Sequence, residues 1–141
     1  MDGEGVVEAE EIMGDSATVK VKLNNLETNV LMDSGARWSL IDLGSLSVLG
    51  MEQKIRNNDN DLVNASGDKM DIVGVVDIEV KCTGMEPVVQ PFKVLNTKTF
   101  SNILLGRDFM RRFGSVTFDF QKNGVKIGKV WLKSLTVIGY E

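Results

Sequence analysis

The chain has 141 residues, 43% of them apolar, with 16 Lys and Arg against 20 Asp and Glu. That length suits one domain with a core of its own, and the composition is that of a folded globular protein rather than a disordered one. A net charge of −4 with scattered basic residues argues against nucleic acid as the main partner, and zero histidines exclude Ser-His-Asp and Cys-His catalysis and His-based zinc sites together.

Residues 1–15 carry six acidic side chains and three glycines and read as a flexible acidic leader before a single domain over 16–141. The N-terminus lacks the basic and apolar regions of a signal peptide, and no apolar run approaches a membrane span. From Ala17, "ATVKVKL" alternates apolar and polar with period two, the pattern of a half-buried strand. "NNLE" supplies a turn and "TNVLMDSG" the returning strand. "SLIDLGSLSVLG" fits a strand end or a short helical turn equally well. "EQKIRNNDND" is loop-like, and "LVNASGDKMDIVG" has two short strand-like arms around the small residues Asn64, Ala65, Ser66 and Gly67.

"VVDIEVKC" and "VVQPFKVLN" predict two further strands, and "NILLG" a short buried one. "RDFMRRFG" combines helix formers with a closing Gly, so one or two helical turns are expected there. "SVTFDF", "QKNG" and "VKIG" form a hairpin, which also explains the faintly phosphate-loop-like "GVKIGKV". "KVWLKSLTVIGYE" is expected to add one more strand. The one cysteine, Cys82, leaves no internal disulfide to form, fits a reducing compartment, and reads as a small core residue. Many short strands with one convincing helix predict a mostly-β barrel or sandwich.

Without histidine, acid–base chemistry falls to Asp, Glu, Lys or Tyr, and paired carboxylates are the obvious option. One carboxylate stands out, in "NVLMDSGARWSLI", where Val30-Leu31-Met32 runs straight into Asp33-Ser34-Gly35. An ionised carboxylate is costly to bury without partners, so Asp33 sits at a surface turn or is held by something specific. Asp-Ser-Gly is by itself ordinary turn chemistry. A second segment, Ile103-Leu104-Leu105-Gly106-Arg107-Asp108, shares the grammar of an apolar strand leaving through Gly.

With both segments in view, the chain resembles the retroviral-type aspartic proteases, the retropepsins. "DSGARWSLI" looks like the catalytic loop of retrotransposon proteases and "NASGDKMDIVG" like their flap hairpin. "ILLGRDFMRRFGSVTFDFQKNGVKIG" resembles the closing segment of the gypsy-like enzymes and of the retroviral-type domain of DNA-damage-inducible ubiquitin-shuttle proteins. The resemblance covers roughly Ala17 to Gly128. It implies a retropepsin-like closed β-barrel or sandwich with one short helix, one lobe per chain.

It further implies an aspartic endopeptidase formed by a C2 homodimer, with a peptide or polyprotein substrate and no metal or other cofactor. Asp33, Ser34 and Gly35 would be its catalytic loop. The Ser34 hydroxyl would bond across the dimer. Ala36, Arg37, Trp38, Leu104 and the flap residues Asn64 to Gly67 would contact substrate, with core packing as even odds for Leu104 and a surface role nearly as good for Trp38. Leu105, Gly106, Arg107 and Asp108 would form the structural second motif. The family pairs an acidic residue with the motif arginine, but here Arg37 and Arg107 occupy those positions, so Asp108 or Asp42 is expected to pair with one of them. The setting implied is intracellular, cytoplasmic or within a virus-like particle, with maturation of a retrotransposon polyprotein as the task. The alternative is a weakly active or inactive dimerisation or peptide-binding module of the same fold.

Overall fold

The computed structural model describes residues 14–57, 62–63, 69–97, 103–134 and 136–138. In β1 (Ser16–Leu23), Ala17, Val19, Val21 and Leu23 enter the core while Lys20 and Lys22 face solvent, the period-two outcome of the alternating sequence. Asn24 and Asn25 both adopt left-handed φ, 51° and 71°, so a two-residue turn sets Leu26 opposite Leu23 and starts β2 (Leu26–Asp33). Along β2, Val30 and Met32 are buried, and the same alternation sends Leu31 and Asp33 to the other face.

"SLIDLGSLSVLG" proves to be both strand and helix. β3 (Leu40–Asp42) leads directly into α1 (Leu43–Val48), and Asp42 divides them by accepting a hydrogen bond from the Ser45 N–H at 3.3 Å as the helix cap. After a 3-10 turn at Glu52–Lys54, Arg56 bridges Val75. β4 (Leu62–Val63) and β5 (Lys69–Met70) pair antiparallel as the two expected arms; the turn Asn64 to Gly67 lies outside the described residues. β6 (Ile72–Lys81) and β7 (Val88–Leu95) form the long hairpin, β8 (Leu104–Leu105) the short strand, and α2 (Arg107–Met110) the helix after it. A 3-10 turn, Arg111–Phe113, extends α2 until Gly114 ends it with φ of 84°.

β9 (Val116–Asp119), β10 (Gly124–Ile127) and β11 (Val130–Lys133) make a separate three-stranded sheet. The single strand expected after Lys129 is instead two, β11 and β12 (Thr136–Ile138), the latter on β1. Ser134 makes the break. Its N–H donates to the Asn123 carbonyl (3.0 Å) and its buried hydroxyl to the Thr18 carbonyl (2.7 Å), which ties the hairpin sheet to the barrel.

The main sheet runs in the order β12-β1-β2-β8-β3-β7-β6, and β6 pairs back onto β1, with Val80 opposite Leu23. That pairing closes a β-barrel around Val30, Met32, Ile41, Ile78, Phe92, Val94 and Leu105, all essentially inaccessible. Cys82 is part of the same core, where burial pushes its thiol up to about 11 and leaves it a poor nucleophile at neutral pH. No helix among the described residues is long and apolar enough to cross a membrane.

Candidate active site

β8 inserts between β2 and β3. It runs parallel to β2, with Leu104 opposite Leu31 and Leu105 opposite Met32, and antiparallel to β3 through Leu40. This crossing brings the two sequence motifs together at the end of β2, where Asp33 leaves the barrel.

Several bonds fix the Asp33 loop. The Gly35 N–H donates to Asp33 Oδ1 at 2.8 Å, and the Ala36 N–H donates to the Asp33 carbonyl at 3.2 Å. Arg107 reaches back from α2 and donates from Nη1 to the Ser34 carbonyl at 2.9 Å, while its own N–H donates to the Ala36 carbonyl at 2.8 Å. Burial raises the Asp33 pKa above its usual 3.8, opposed by the Gly35 N–H and then by the positive charge of Arg107. None of these influences is a second carboxylate. Among the described residues, no three of His, Cys, Asp and Glu gather to hold a metal.

The end of the acidic leader belongs to this site. The Asp15 N–H donates to Ser34 Oγ (2.8 Å), while Ser34 donates to the Asp15 carbonyl from both Oγ (3.1 Å) and N–H (2.8 Å). The Ser34 hydroxyl, expected to bond across a dimer, is thus engaged within its own chain. Gly14 lies so close that a Cβ there would stand 2.0 Å from the Gly35 nitrogen.

Gly106 makes the second close approach. A Cβ there would meet the Ala36 carbonyl oxygen at 2.7 Å and the Trp38 carbonyl group at 2.8 Å. These are backbone atoms of the loop that Arg107 holds, so they have little room to retreat. Gly106→Ala is therefore expected to destabilise the fold by about 1–3 kcal/mol as an overpacked site, a loss that urea titration would measure directly.

The geometry has close counterparts among solved structures. No protein-family model matches the sequence, and no curated protein sequence does. The retroviral protease-like domain of Ddi1 from Leishmania major superposes with a TM-score of 0.68 at 19% identity, over 85% of this chain and 94% of that one. EIAV protease in complex with the inhibitor HBY-793 gives 0.54 at 20% identity, over 71% and 89%. A retropepsin-like aspartic protease from Rickettsia conorii gives 0.54 at 16% identity, over 74% and 83%.

The fold is retropepsin-like.

Within this retropepsin-like fold, Leu104 is half-buried beside the fully buried Leu105, and Ala36 is half-buried at the mouth of the loop. Arg37 is exposed and lies over the Trp38 ring, 5.1 Å from its centroid. The expected pairing of Asp108 or Asp42 with an arginine is replaced by other bonds. Asp42 is the fully buried cap of α1, and its Oδ1 finds no donor among the described residues. Asp108 accepts from neutral donors: Ser39 Oγ at 2.7 Å, Ser39 N–H at 3.2 Å, Gln90 Nε2 at 2.9 Å and its neighbour Phe109 N–H at 2.9 Å. The two arginines have different contacts, Arg37 with the indole of Trp38 and Arg107 with the Ser34 carbonyl.

Three contributors escaped the sequence reading: Ser39, Gln90 and Arg112. Ser39 is fully buried and its hydroxyl also accepts from the Gly106 N–H at 3.1 Å, which ties the first motif to the second. Arg112 donates from Nε to Gln90 Oε1 at 2.9 Å and extends the chain of bonds to the surface. Gln90 did leave a signal: in "VVQPFKVL" it takes an inward position between apolar residues, where a polar side chain needs a specific partner.

Proposed function

We propose that two copies of this chain form one aspartic endopeptidase that matures a retrotransposon-type polyprotein. The carrying observation is Asp33 itself, an out-facing carboxylate at a strand end, locked by Gly35 and Arg107 in surroundings that raise its pKa. None of the groups that shift the Asp33 pKa is a second carboxylate, and the chemistry needs two. A C2 contact supplies the copy, because the same loop then meets itself. Close together, the two carboxylates share one proton. The ionised Asp33 takes a proton from a bound water, which attacks the peptide carbonyl. The protonated Asp33 of the other copy donates to the carbonyl oxygen, and the leaving nitrogen is protonated as the bond breaks. Ala36, Arg37, Trp38, Leu104 and the hairpin carried by β4 and β5 are assigned to substrate, and that hairpin to closure over the dyad.

The second reading, a peptide-binding or dimerisation module, draws on the Ser34 hydroxyl being engaged by Asp15. The two are separated by cleavage of a mixed peptide library, read by mass spectrometry over a dilution series. A shared site predicts that cleavage per chain falls on dilution as dimers dissociate. Constant cleavage per chain over a range in which sedimentation shows the dimer dissociating would remove the shared dyad, and a folded dimer that cuts nothing favours the module.

A further inference from the structure

The seam where β6 closes onto β1 carries charges that the aspartate loop does not use. A cavity of about 300 Å³ opens there, walled by Lys20, Lys22, Glu27, Lys81, Thr83 and Gly84. Three lysines against one glutamate make it cationic in a chain whose net charge is −4. The register makes that crowding costly. Lys22 lies directly opposite Lys81 in the two-pair ladder that closes the barrel, while Leu23 and Val80 beside them turn into the core. Opposite residues of antiparallel strands share one face, and like charges so placed work against the pairing.

The ammonium on β6 is anchored. Lys81 Nζ donates to the Cys82 carbonyl at 3.2 Å and to the Met85 carbonyl. Both belong to the turn in which the Met85 N–H donates to the Cys82 carbonyl at 3.0 Å and Gly84 takes φ of 81°. An ammonium has three donors, so one is left after those two bonds. Thr83, in the same turn, adds a hydroxyl to the wall. Lys20 and Lys22 are exposed on β1, and neither forms an ion pair among the described residues. Glu27 stands opposite Lys22 on β2, so the wall holds one carboxylate where three lysines meet.

We propose that this seam is a binding site for a compact oxyanion of the phosphate class, with Lys20, Lys22 and Lys81 as its counter-charges. A dianion balances the excess of lysine over glutamate, and a phosphate ester carries about −1.5 to −2 at neutral pH. Among the described residues the wall has no arginine, so it lacks the planar fork that selects a carboxylate. Ammonium groups act instead as point charges toward the oxygens of a phosphate. The volume lies at the low end for ligand sites, about 300–1,000 Å³, which suits a small anion rather than an extended peptide. An anion that touches β1 and β6 together offsets the repulsion between Lys22 and Lys81 and holds the seam closed. None of the residues assigned to peptide cleavage takes part.

The test compares thermal melts in potassium phosphate and potassium chloride at equal ionic strength and neutral pH, with affinity read from phosphorus NMR. Phosphate should raise the melting temperature beyond any effect of chloride, because a ligand of the folded state alone stabilises it by mass action. Lys22→Gln and Lys81→Gln should each weaken binding about five-fold, the upper end for a partly exposed charge contact, and Glu27→Gln should tighten it by a similar factor. Lys22→Glu sets opposite charges across the seam, so without phosphate it should melt above the parent, and phosphate should no longer raise it. Circular dichroism checks each fold, and the exposed Lys22 and Glu27 carry the test if Lys81→Gln is unstable. A nucleoside monophosphate presents the same group on an organic body. Tighter binding than the free ion assigns the site to phosphate esters, and weaker binding assigns it to inorganic phosphate. A melting shift no larger than that in chloride overturns the site, and so does an affinity unchanged by the Lys22 and Glu27 variants.

Discussion

Asp33→Asn is expected to lower peptide cleavage by about 10²–10⁴-fold, the usual contribution of a positioned general acid or base, while leaving the fold intact. Asn keeps the Oδ1 acceptor that holds the Gly35 N–H, so the loop keeps its internal bond. The stability of the variant has a definite sign. Burial raises the Asp33 pKa above 3.8, so between that value and the native pKa the folded chain holds more protons than the unfolded one. The contribution of Asp33 to stability is therefore full below pH 3.8 and is lost as pH rises through the native pKa. Asn carries no charge to desolvate, so at neutral pH the variant should melt no lower than the parent, and any advantage should vanish in acid. A mutant that melts well below the parent at neutral pH would mean that the ionised carboxylate supports the fold, against the burial argument.

The same variant tests the shared site. Mixed with parent chains in excess and allowed to exchange, it should lower the parent's activity, because each mixed dimer carries one carboxylate where two are required. An active site complete within one chain would leave the parent untouched by the mutant. The measurement is cleavage rate against mixing ratio at fixed parent concentration, and the mutant's own activity supplies the baseline.

Much of this fold was legible because period-two alternation is a local signal. The β1 pattern and the Asn24-Asn25 turn needed only neighbouring residues. The Ile103–Gly106 segment stood out as an apolar strand leaving through Gly, and its meaning came from the resemblance to the retropepsins. The Asp108 partners were not legible. Charge logic within the two motifs points to arginine, yet β8 carries Asp108 past β3 and β7, and that arrangement exists only once the barrel has closed. Ser39 and Gln90 then approach from distant positions with well-aimed neutral donors, and four such bonds satisfy the carboxylate. Ser134 follows the same rule: nothing near it in sequence announces the Thr18 carbonyl that makes it a break between strands.

Asp108→Ala is expected to destabilise the fold by about 1–3 kcal/mol, the cost of buried donors left without their acceptor. The substitution removes the acceptor for the Ser39 hydroxyl and N–H and for the Gln90 amide. Ser39 and Gln90 are 0% and 1% exposed, and each buried donor left unsatisfied costs about 1–3 kcal/mol. The loss spreads in two directions. Ser39 is also the acceptor for the Gly106 N–H, so the crossing of the two motifs loosens. Gln90 also orients Arg112, so the surface end of the network loosens too. Asp108→Asn keeps one oxygen, enough for the Ser39 hydroxyl and the Phe109 N–H, and should lose about half as much, since charge-assisted bonds are roughly twice as strong as neutral ones. Chemical denaturation of the two variants with Ser39→Ala and the double mutant measures the coupling. Residues in one network should couple by about 0.5–3 kcal/mol. Additive losses, or an Asp108→Ala protein as stable as its parent, would show that the crossing of the two motifs rests on backbone pairing and apolar packing alone.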